Sequence, residues 1–388
     1  MVSISFSSLV DNLRHSLISK PWITLLRSPR RTQASQATTV RVLYPRFLKN
    51  PSSGVILDRY DTTTLSSTTP SSTTTHISSQ RNNPIEWMPV TPHYRAPRAP
   101  IVLCHGLYGF DKWGPASFPM LQVRYWGGIE ETLAKLGAKV IVTKVPRTGS
   151  VWERSQELHA ILKAVLSGSQ VNFVAHSMGG LDCRCLLSHI HNRPYHVQSL
   201  TTIATPHRGS PLMDWFRDHV GVGVRFATAA AAAAAAAATA SSSSSPTASS
   251  EKRRYANYLL DPVIQMLDTP AYANLTTDYC QNHFNPSTPD DPSVAYYSYG
   301  AHTRIPPWTL LGWTQQVVGE KEGPNDGIVS VDSAKWGTYI KTLNANHWEL
   351  NGQRPKWRSS FPSLSEKPFF DSSEFYVELA DHLYQQGH

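Results

Sequence analysis

The sequence predicts an α/β fold, a mostly parallel central sheet with helices on both faces, and three observations carry that expectation. Short apolar runs at 100–104, 138–145, 171–175, 197–204 and 293–299 read as buried strands. Helical patterns at 151–166, 178–190 and 371–385 alternate with them, which is how a chain with parallel strands is written. The third observation is Val171-Asn172-Phe173-Val174-Ala175-His176-Ser177-Met178-Gly179-Gly180, where four strand-like residues run into a serine and a helix pattern follows at once. A serine at so sharp a strand-to-helix turn projects its hydroxyl above the sheet, near the positive end of the next helix. Side chains two before and two after it must be small to avoid collision, and Ala175 and Gly179 are.

In chain order, the first segment is basic. Residues 1–57 hold eight Lys/Arg and one acid, Asp11, a net +7, while the whole chain is +8. Basicity confined to one end argues for an address and against nucleic-acid binding. The segment is rich in Arg and Ser, with Ile4, Val10, Leu13 and Leu17 at helical spacing, the pattern of a mitochondrial presequence. A secretory signal needs an unbroken apolar core, and Asp11, Asn12, Arg14 and His15 interrupt it. Residues 58–83 are Ser/Thr-rich and read as a linker, which leaves 84–388 as the main folded domain. A chain of 388 residues accommodates one sizeable domain with such appendages.

The first strand of that domain ends in Cys104-His105-Gly106-Leu107-Tyr108-Gly109, a turn able to offer a backbone N–H to a developing oxyanion. With the N–H of the residue after the serine, the expected donors are Leu107 and Met178. Downstream, Gly323-Pro324-Asn325-Asp326-Gly327-Ile328-Val329 sets an acid in a turn before an apolar run, and Asn346-His347-Trp348 follows. Serine, acid, histidine is the chain order of one convergent solution to acyl transfer. Ser177 is then the nucleophile, His347 the base, and Asp326 the group that orients the imidazole. Asp332 rivals Asp326, which by itself also suits a plain Asn-Asp-Gly turn. Fifteen other histidines compete with His347. Of these, His105 and His176 lie inside the other motifs, His207 reads as loop structure, and His302 precedes the acid.

The segment 211–275 interrupts the alternation. It contains ten consecutive alanines, 229–238, followed by Ser241 to Ser245. Alanine favours helix but transfers weakly into lipid, and Arg225 lies among these residues, so no membrane span is expected. The flanking Leu212, Trp215, Phe216, Val220, Val222, Val224 and Phe226 either cover the site or meet lipid. The last helix has a start signal in Asp371 with Glu374 three residues on. Cys104, Cys183, Cys185 and Cys280 show no zinc spacing and read as buried free thiols. A single Asn-x-Thr sequon stands at Asn274.

Taken together, His105-Gly106-Leu107-Tyr108-Gly109, Ala175-His176-Ser177-Met178-Gly179-Gly180, Ala204-Thr205-Pro206-His207-Arg208-Gly209-Ser210, Asn325-Asp326-Gly327-Ile328-Val329 and Asn346-His347-Trp348-Glu349 resemble one family. It is that of the bacterial true lipases of the Pseudomonas and Burkholderia type and their fungal relatives, the yeast-type mitochondrial triacylglycerol lipases, within the α/β-hydrolase superfamily. The resemblance implies an α/β-hydrolase fold with a lid at about 211–275 and hydrolysis of acylglycerol esters through an acyl-enzyme. It implies a substrate met at a lipid–water interface, with transient contact to a membrane or lipid-droplet surface, and no organic cofactor. The bacterial members bind a structural calcium near the histidine; here the matching positions are Glu349 and Gln353, and Arg304-Ile305-Pro306-Pro307-Trp308 offers no second carboxylate. No metal is therefore expected. Phospholipase or acyltransferase chemistry would use the same residues, whereas a non-catalytic lipid-binding protein would have no need of an intact triad.

Overall fold

The computed structural model describes residues 40–48, 56–65, 93–109, 112–113, 123–166, 168–223, 226, 268–353 and 370–388. Residues 1–39, most of the Ser/Thr tract and the alanine run 229–238 lie outside them, so the presequence expectation and the role of the insertion fall there too.

The strands are β1 (Val40–Leu48), β2 (Ile56–Leu65), β3 (Ile101–Cys104), β4 (Lys112–Trp113), β5 (Val123–Arg124), β6 (Val140–Val142), β7 (Gln170–His176), β8 (His196–Ile203), β9 (Ala295–Ala301) and β10 (Thr338–Leu343). Eight form one sheet in the order β10-β9-β8-β7-β3-β6-β1-β2. From β10 to β6 every pairing is parallel, while β1 and β2 join antiparallel at the far edge. β4 and β5 make a separate short ribbon. The longer helices are α1 (Ile129–Leu136), α2 (Val151–Val165), α3 (Gly179–His189), α4 (Pro211–Val220), α5 (Leu310–Glu322) and α6 (Ser372–Gln385).

Period-2 alternation along the central strands builds two cores. Ile101, Leu103, Val140, Val142, Val174 and Ile203 face one side, where Ile129 and Leu133 of α1 and Phe375, Tyr376, Leu379 and Leu383 of α6 cover them. Val102, Cys104, Ile141, Phe173 and Ala175 face the other, beneath Leu158, Ile161 and Leu162 of α2 and Cys183, Leu186 and Leu187 of α3. Helix starts are fixed by side chains: Ser150 and Glu153 form a reciprocal capping box on α2, and Asp371 accepts from the Ser373 and Glu374 N–H groups on α6. Asn274 accepts the Val151 N–H at 2.9 Å, so the sequon asparagine is engaged in the fold. All four cysteines are free and buried.

Two strands fall within segments that the sequence reading gives to the leader and the linker. β1 arises within the basic leader and β2 spans the start of the polar linker, yet β1 pairs with β6 through Arg41↔Val142, Val42↔Ile141 and Leu43↔Val140. Charge and polarity counts conceal this. Val40, Val42 and Tyr44, like Thr62, Thr63 and Thr64, are β-branched or aromatic residues that suit a strand once a sheet edge is present.

Candidate active site

The parallel part of the sheet starts at β3, adds β6 on one side, and then returns to β7 on the other. Such a reversal opens a crevice at the carboxyl ends of β3 and β7, where ligands bind in open α/β sheets. Three non-glycine residues with positive φ collect at this edge: Tyr108 (55°) beyond β3, Ser177 (56°) beyond β7 and Ala204 (48°) beyond β8. The left-handed backbone at Ser177 is the sharp turn that the elbow pattern predicts. Its neighbours have no room for side chains. A Cβ on Gly179 would lie 2.7 Å from the Cys104 carbonyl oxygen, and one on Gly106 would lie 2.7 Å from the Ser177 Cβ.

The structure brings Ser177, His347 and Asp326 together. His347 Nε2 is 3.0 Å from Ser177 Oγ, and its Nδ1 is 2.7 Å from Asp326 Oδ2. The other carboxylate oxygen, Oδ1, accepts the Ile328 N–H at 2.9 Å and the Val329 N–H at 2.8 Å. The Asp326 carbonyl accepts the His347 N–H at 3.0 Å, which ties the acid turn directly to the histidine loop. With the carboxylate acting only as acceptor, His347 carries its proton on Nδ1 and leaves Nε2 free to receive one from the serine. Asp332, the rival acid, stands in solvent and pairs with Lys335 at 2.7 Å.

The expected oxyanion donors flank the serine. Met178 opens α3, where the first N–H groups have no intrahelical acceptor. The N–H groups on either side of Leu107 are committed, Gly106 to the Tyr125 hydroxyl at 3.0 Å and Tyr108 to the Arg147 carbonyl at 2.9 Å. Arg154, fully buried, donates to the His105 carbonyl at 2.8 Å and pairs with Asp182 of α3 at 2.7 Å. Burial pushes the Asp182 carboxyl up to about 6 against the pull of Arg154. His105 accepts the Val145 N–H on Nε2 at 3.1 Å and is pushed down to about 3, first by burial and then by the Arg154 charge. The histidine thus shapes the loop as a neutral ring. His207 is likewise held in structure, stacked on Trp336 with Nε2 3.0 Å from Thr202 Oγ1. Sequence reasoning missed Tyr125, Arg154 and Asp182, because no local pattern marks a partner that is found only through tertiary packing.

Above the triad lies an apolar cluster. Met178, Leu212, Met213, Ala271, Leu275 and Val318 are buried in it, with Leu107, Phe216, Tyr272, Trp313 and Ile328 packed alongside. Trp215 meets Trp313 edge to face at 4.9 Å, and Phe216 meets Tyr272 at 6.0 Å. Leu212, Met213 and Phe216 of the 211–223 arm thus pack in one cluster with Leu107 and with Met178, the residue after the serine. Ser177 retains 8% exposure and His347 4%. Among the described residues, no helix is long and apolar enough to cross a membrane.

The two positions matching the bacterial calcium site do other work. Glu349 Oε2 accepts the Asn346 N–H at 2.9 Å, bracing the turn that carries His347. Gln353 turns its amide nitrogen to the Arg124 carbonyl at 2.6 Å. No group of three or more His, Cys, Asp or Glu among the described residues is placed to hold a metal.

Sheet order, elbow and buried Ser177–His347–Asp326 array define an α/β protein with a nucleophile-elbow serine. The alpha/beta hydrolase fold family matches residues 99–348, and the chain belongs to that family as a serine ester hydrolase. It is 31% identical over 351 residues to triacylglycerol lipase 2 of Saccharomyces cerevisiae, covering 78% of this chain and 96% of the relative. A triacylglycerol lipase of Burkholderia plantarii is 39% identical over 131 residues, covering 32% of this chain and 34% of the relative. The fold is similar to that of the Staphylococcus hyicus lipase, with a TM-score of 0.52 and 19% identity, covering 76% of this chain and 97% of that structure.

Proposed function

We propose that the protein is a lipase that hydrolyses the ester bonds of acylglycerols through an acyl-enzyme on Ser177. The observation that carries this reading is the pair of contacts on His347, 3.0 Å to the serine hydroxyl and 2.7 Å to the buried carboxylate. Ser177 Oγ attacks the ester carbonyl while its proton passes to His347 Nε2. The carbonyl oxygen takes the negative charge and is received by the N–H groups of Leu107 and Met178. Asp326 stabilises the imidazolium. Collapse expels the glyceride alkoxide, which takes the proton from Nε2, and leaves the acyl group on Ser177. Water then attacks with His347 again as base, and release of the fatty acid restores the serine. Burial makes His176, beside the imidazolium, hard to protonate, and the charge of His347 adds to this, so no like charge competes.

Acylglycerol as substrate is supported by relatives named triacylglycerol lipases and by the apolar cluster of Leu107, Met178, Phe216, Tyr272 and Ile328, which includes the residue after the serine. Exposed Tyr108, Trp308, Leu310 and Trp348 add apolar surface suited to transient contact with a lipid–water interface. The basic leader supports a mitochondrial address for this lipid-degrading activity, with no nucleic acid involved.

The test is labelling with a fluorophosphonate in detergent, comparing wild type with Ser177→Ala, beside turnover of short- and long-chain acylglycerols. Labelling abolished by the substitution, together with long-chain turnover, is the expected result. Labelling with no acylglycerol turnover redirects the acyl-enzyme towards another acyl donor or acceptor. Absence of labelling refutes the nucleophile.

A further inference from the structure

The oxyanion loop, the elbow and the histidine loop come from distant parts of the chain, and one short segment touches all three. Residues 124–128 run from β5 into α1. The Tyr125 hydroxyl accepts the Gly106 N–H at 3.0 Å, one residue before the donor Leu107. The same hydroxyl is 2.6 Å from His176 Nδ1, in the residue before the nucleophile. The hydroxyl and Nδ1 share one hydrogen bond, which ties the phenol to the residue before the serine. The His176 ring in turn lies 4.7 Å from the His347 ring.

On its other side the segment holds the histidine loop. Gln353 Nε2 donates to the Arg124 carbonyl at 2.6 Å, and the Gly127 N–H donates to the Asn351 carbonyl at 3.1 Å. A Cβ on Gly127 would stand 2.9 Å from the Gly352 carbonyl oxygen, so the two backbones are in direct contact. The base of the clamp is anchored as well, because Arg124 pairs with Glu131 of α1.

We infer that residues 124–128 form a clamp in which the Tyr125 hydroxyl and the Gln353 amide are positioning groups for the catalytic geometry. The clamp sets the Leu107 N–H and the His347 imidazole in register about Ser177, and it does so with protein hydrogen bonds. Neither residue touches the reacting atoms. This rests on the triad assignment above, and its reach is the transition state: the oxyanion donor and the base must be correctly spaced when the tetrahedral charge forms, whereas ground-state binding of an ester does not require it.

The experiment measures kcat and KM on a soluble short-chain ester, p-nitrophenyl butyrate, with Tm recorded alongside. The variants are Tyr125→Phe, Gln353→Ala, Ser177→Ala and Tyr195→Phe. The last removes a buried phenol hydroxyl, 2.9 Å from His159 Nδ1, far from the site. The expected result is a fall in kcat of roughly ten- to a hundredfold for Tyr125→Phe, with KM within about twofold, since small displacements of catalytic groups act on the chemical step. Gln353→Ala lowers kcat in the same manner and reads the clamp from its surface end should Tyr125→Phe fold poorly. Tyr195→Phe shifts Tm and leaves kcat within about twofold. If both clamp variants keep wild-type kcat, or lose activity only in proportion to the unfolded fraction, the clamp is refuted while the triad stands. Residual wild-type activity in Ser177→Ala refutes the triad instead.

Discussion

Replacing Asp326 by Asn removes one charge and almost no volume, which makes it the sharpest probe of the acid. The two carboxylate oxygens have different partners. Oδ1 receives the Ile328 and Val329 N–H groups, and Oδ2 faces His347 Nδ1. An asparagine must choose which side gets its NH2. Turning it towards residues 328 and 329 would set donor against donor and strand two buried N–H groups, at about 1–3 kcal/mol each. The amide therefore points at His347 and donates to Nδ1. That contact forces the imidazole proton onto Nε2, the side facing Ser177 Oγ, and the base is lost in the resting enzyme.

In a serine-protease triad the same Asp-to-Asn change lowers kcat by about ten thousandfold, or about 5 kcal/mol of barrier. The same size of loss is expected here because the geometry is the same. The hydrogen bonds on Oδ1 survive, so Tm should move little. The assay is kcat on p-nitrophenyl butyrate with Tm by differential scanning fluorimetry, run beside Asp332→Asn. Asp332 is solvent-exposed with a lysine partner, and such surface pairs contribute about 0–1 kcal/mol, so its variant should match wild type. An Asp326→Asn enzyme retaining a tenth or more of wild-type kcat, with Asp332→Asn crippled, would transfer the role to Asp332.

Other perturbations follow from contacts and burial. Gly106→Ala places a Cβ 2.7 Å from the Ser177 Cβ, so the nucleophile must shift and kcat should fall roughly a hundredfold. Wild-type turnover in that variant would refute the close packing of loop on elbow. Burial holds His105, His176 and His207 neutral, so only the unfolded chain takes up their protons below about 6.5; their stabilisation is present above that pH and drains away as pH falls. At pH 5 each costs up to about 2 kcal/mol, while Asp182, raised to about 6, has the opposite sign and returns about 1 kcal/mol. The urea midpoint should therefore drop from pH 7 to pH 5, and a flat profile would contradict the burial of these rings. With Glu349 accepting the Asn346 N–H and the Gln353 amide donating to the Arg124 carbonyl, EDTA should leave both Tm and kcat unchanged. A chelator-dependent loss of stability that calcium restores would place a cation there after all.

How much of this is legible in the sequence depends on where the information resides. The expected strands 100–104, 171–175 and 197–204 and the helices 151–166, 178–190 and 371–385 all have counterparts within two residues, because apolar period and capping residues are local. Motif and chain order likewise single out Ser177, Asp326 and His347, and the structure brings them into contact. α1, bounded at both ends by left-handed glycines, is too short for its period to stand out. β10 is an edge strand, mostly unburied, with little apolar alternation to read. β1 and β2 depend on β6, some hundred residues distant in sequence, and no local pattern encodes such a pairing. Tyr125 belongs with them. Its neighbours along the chain are Arg124 and Trp126, whereas its function lies in Gly106 and His176.

The strained backbone explains why the site needs so many supports outside the triad. Tyr108, Ser177 and Ala204 each hold a conformation that costs on the order of 1–3 kcal/mol for a side-chain-bearing residue. None would persist unless its surroundings over-determined it. Tyr108 is fixed by its N–H to the Arg147 carbonyl, and Ser177 by its N–H to the Ile203 carbonyl at 3.0 Å. The Ser177 carbonyl accepts the Thr205 hydroxyl at 2.7 Å, and the Ala204 N–H reaches the Tyr299 carbonyl at 2.9 Å. The strain at one strand end is thus held by the next strand across the sheet, from β7 to β8 to β9. Loosening any of these ties lets the turn relax towards ordinary backbone, and the serine hydroxyl then leaves the line of His347 Nε2. Relaxation of that kind stabilises the local backbone while it removes catalysis, so substitutions along this edge should cost activity well before they cost fold.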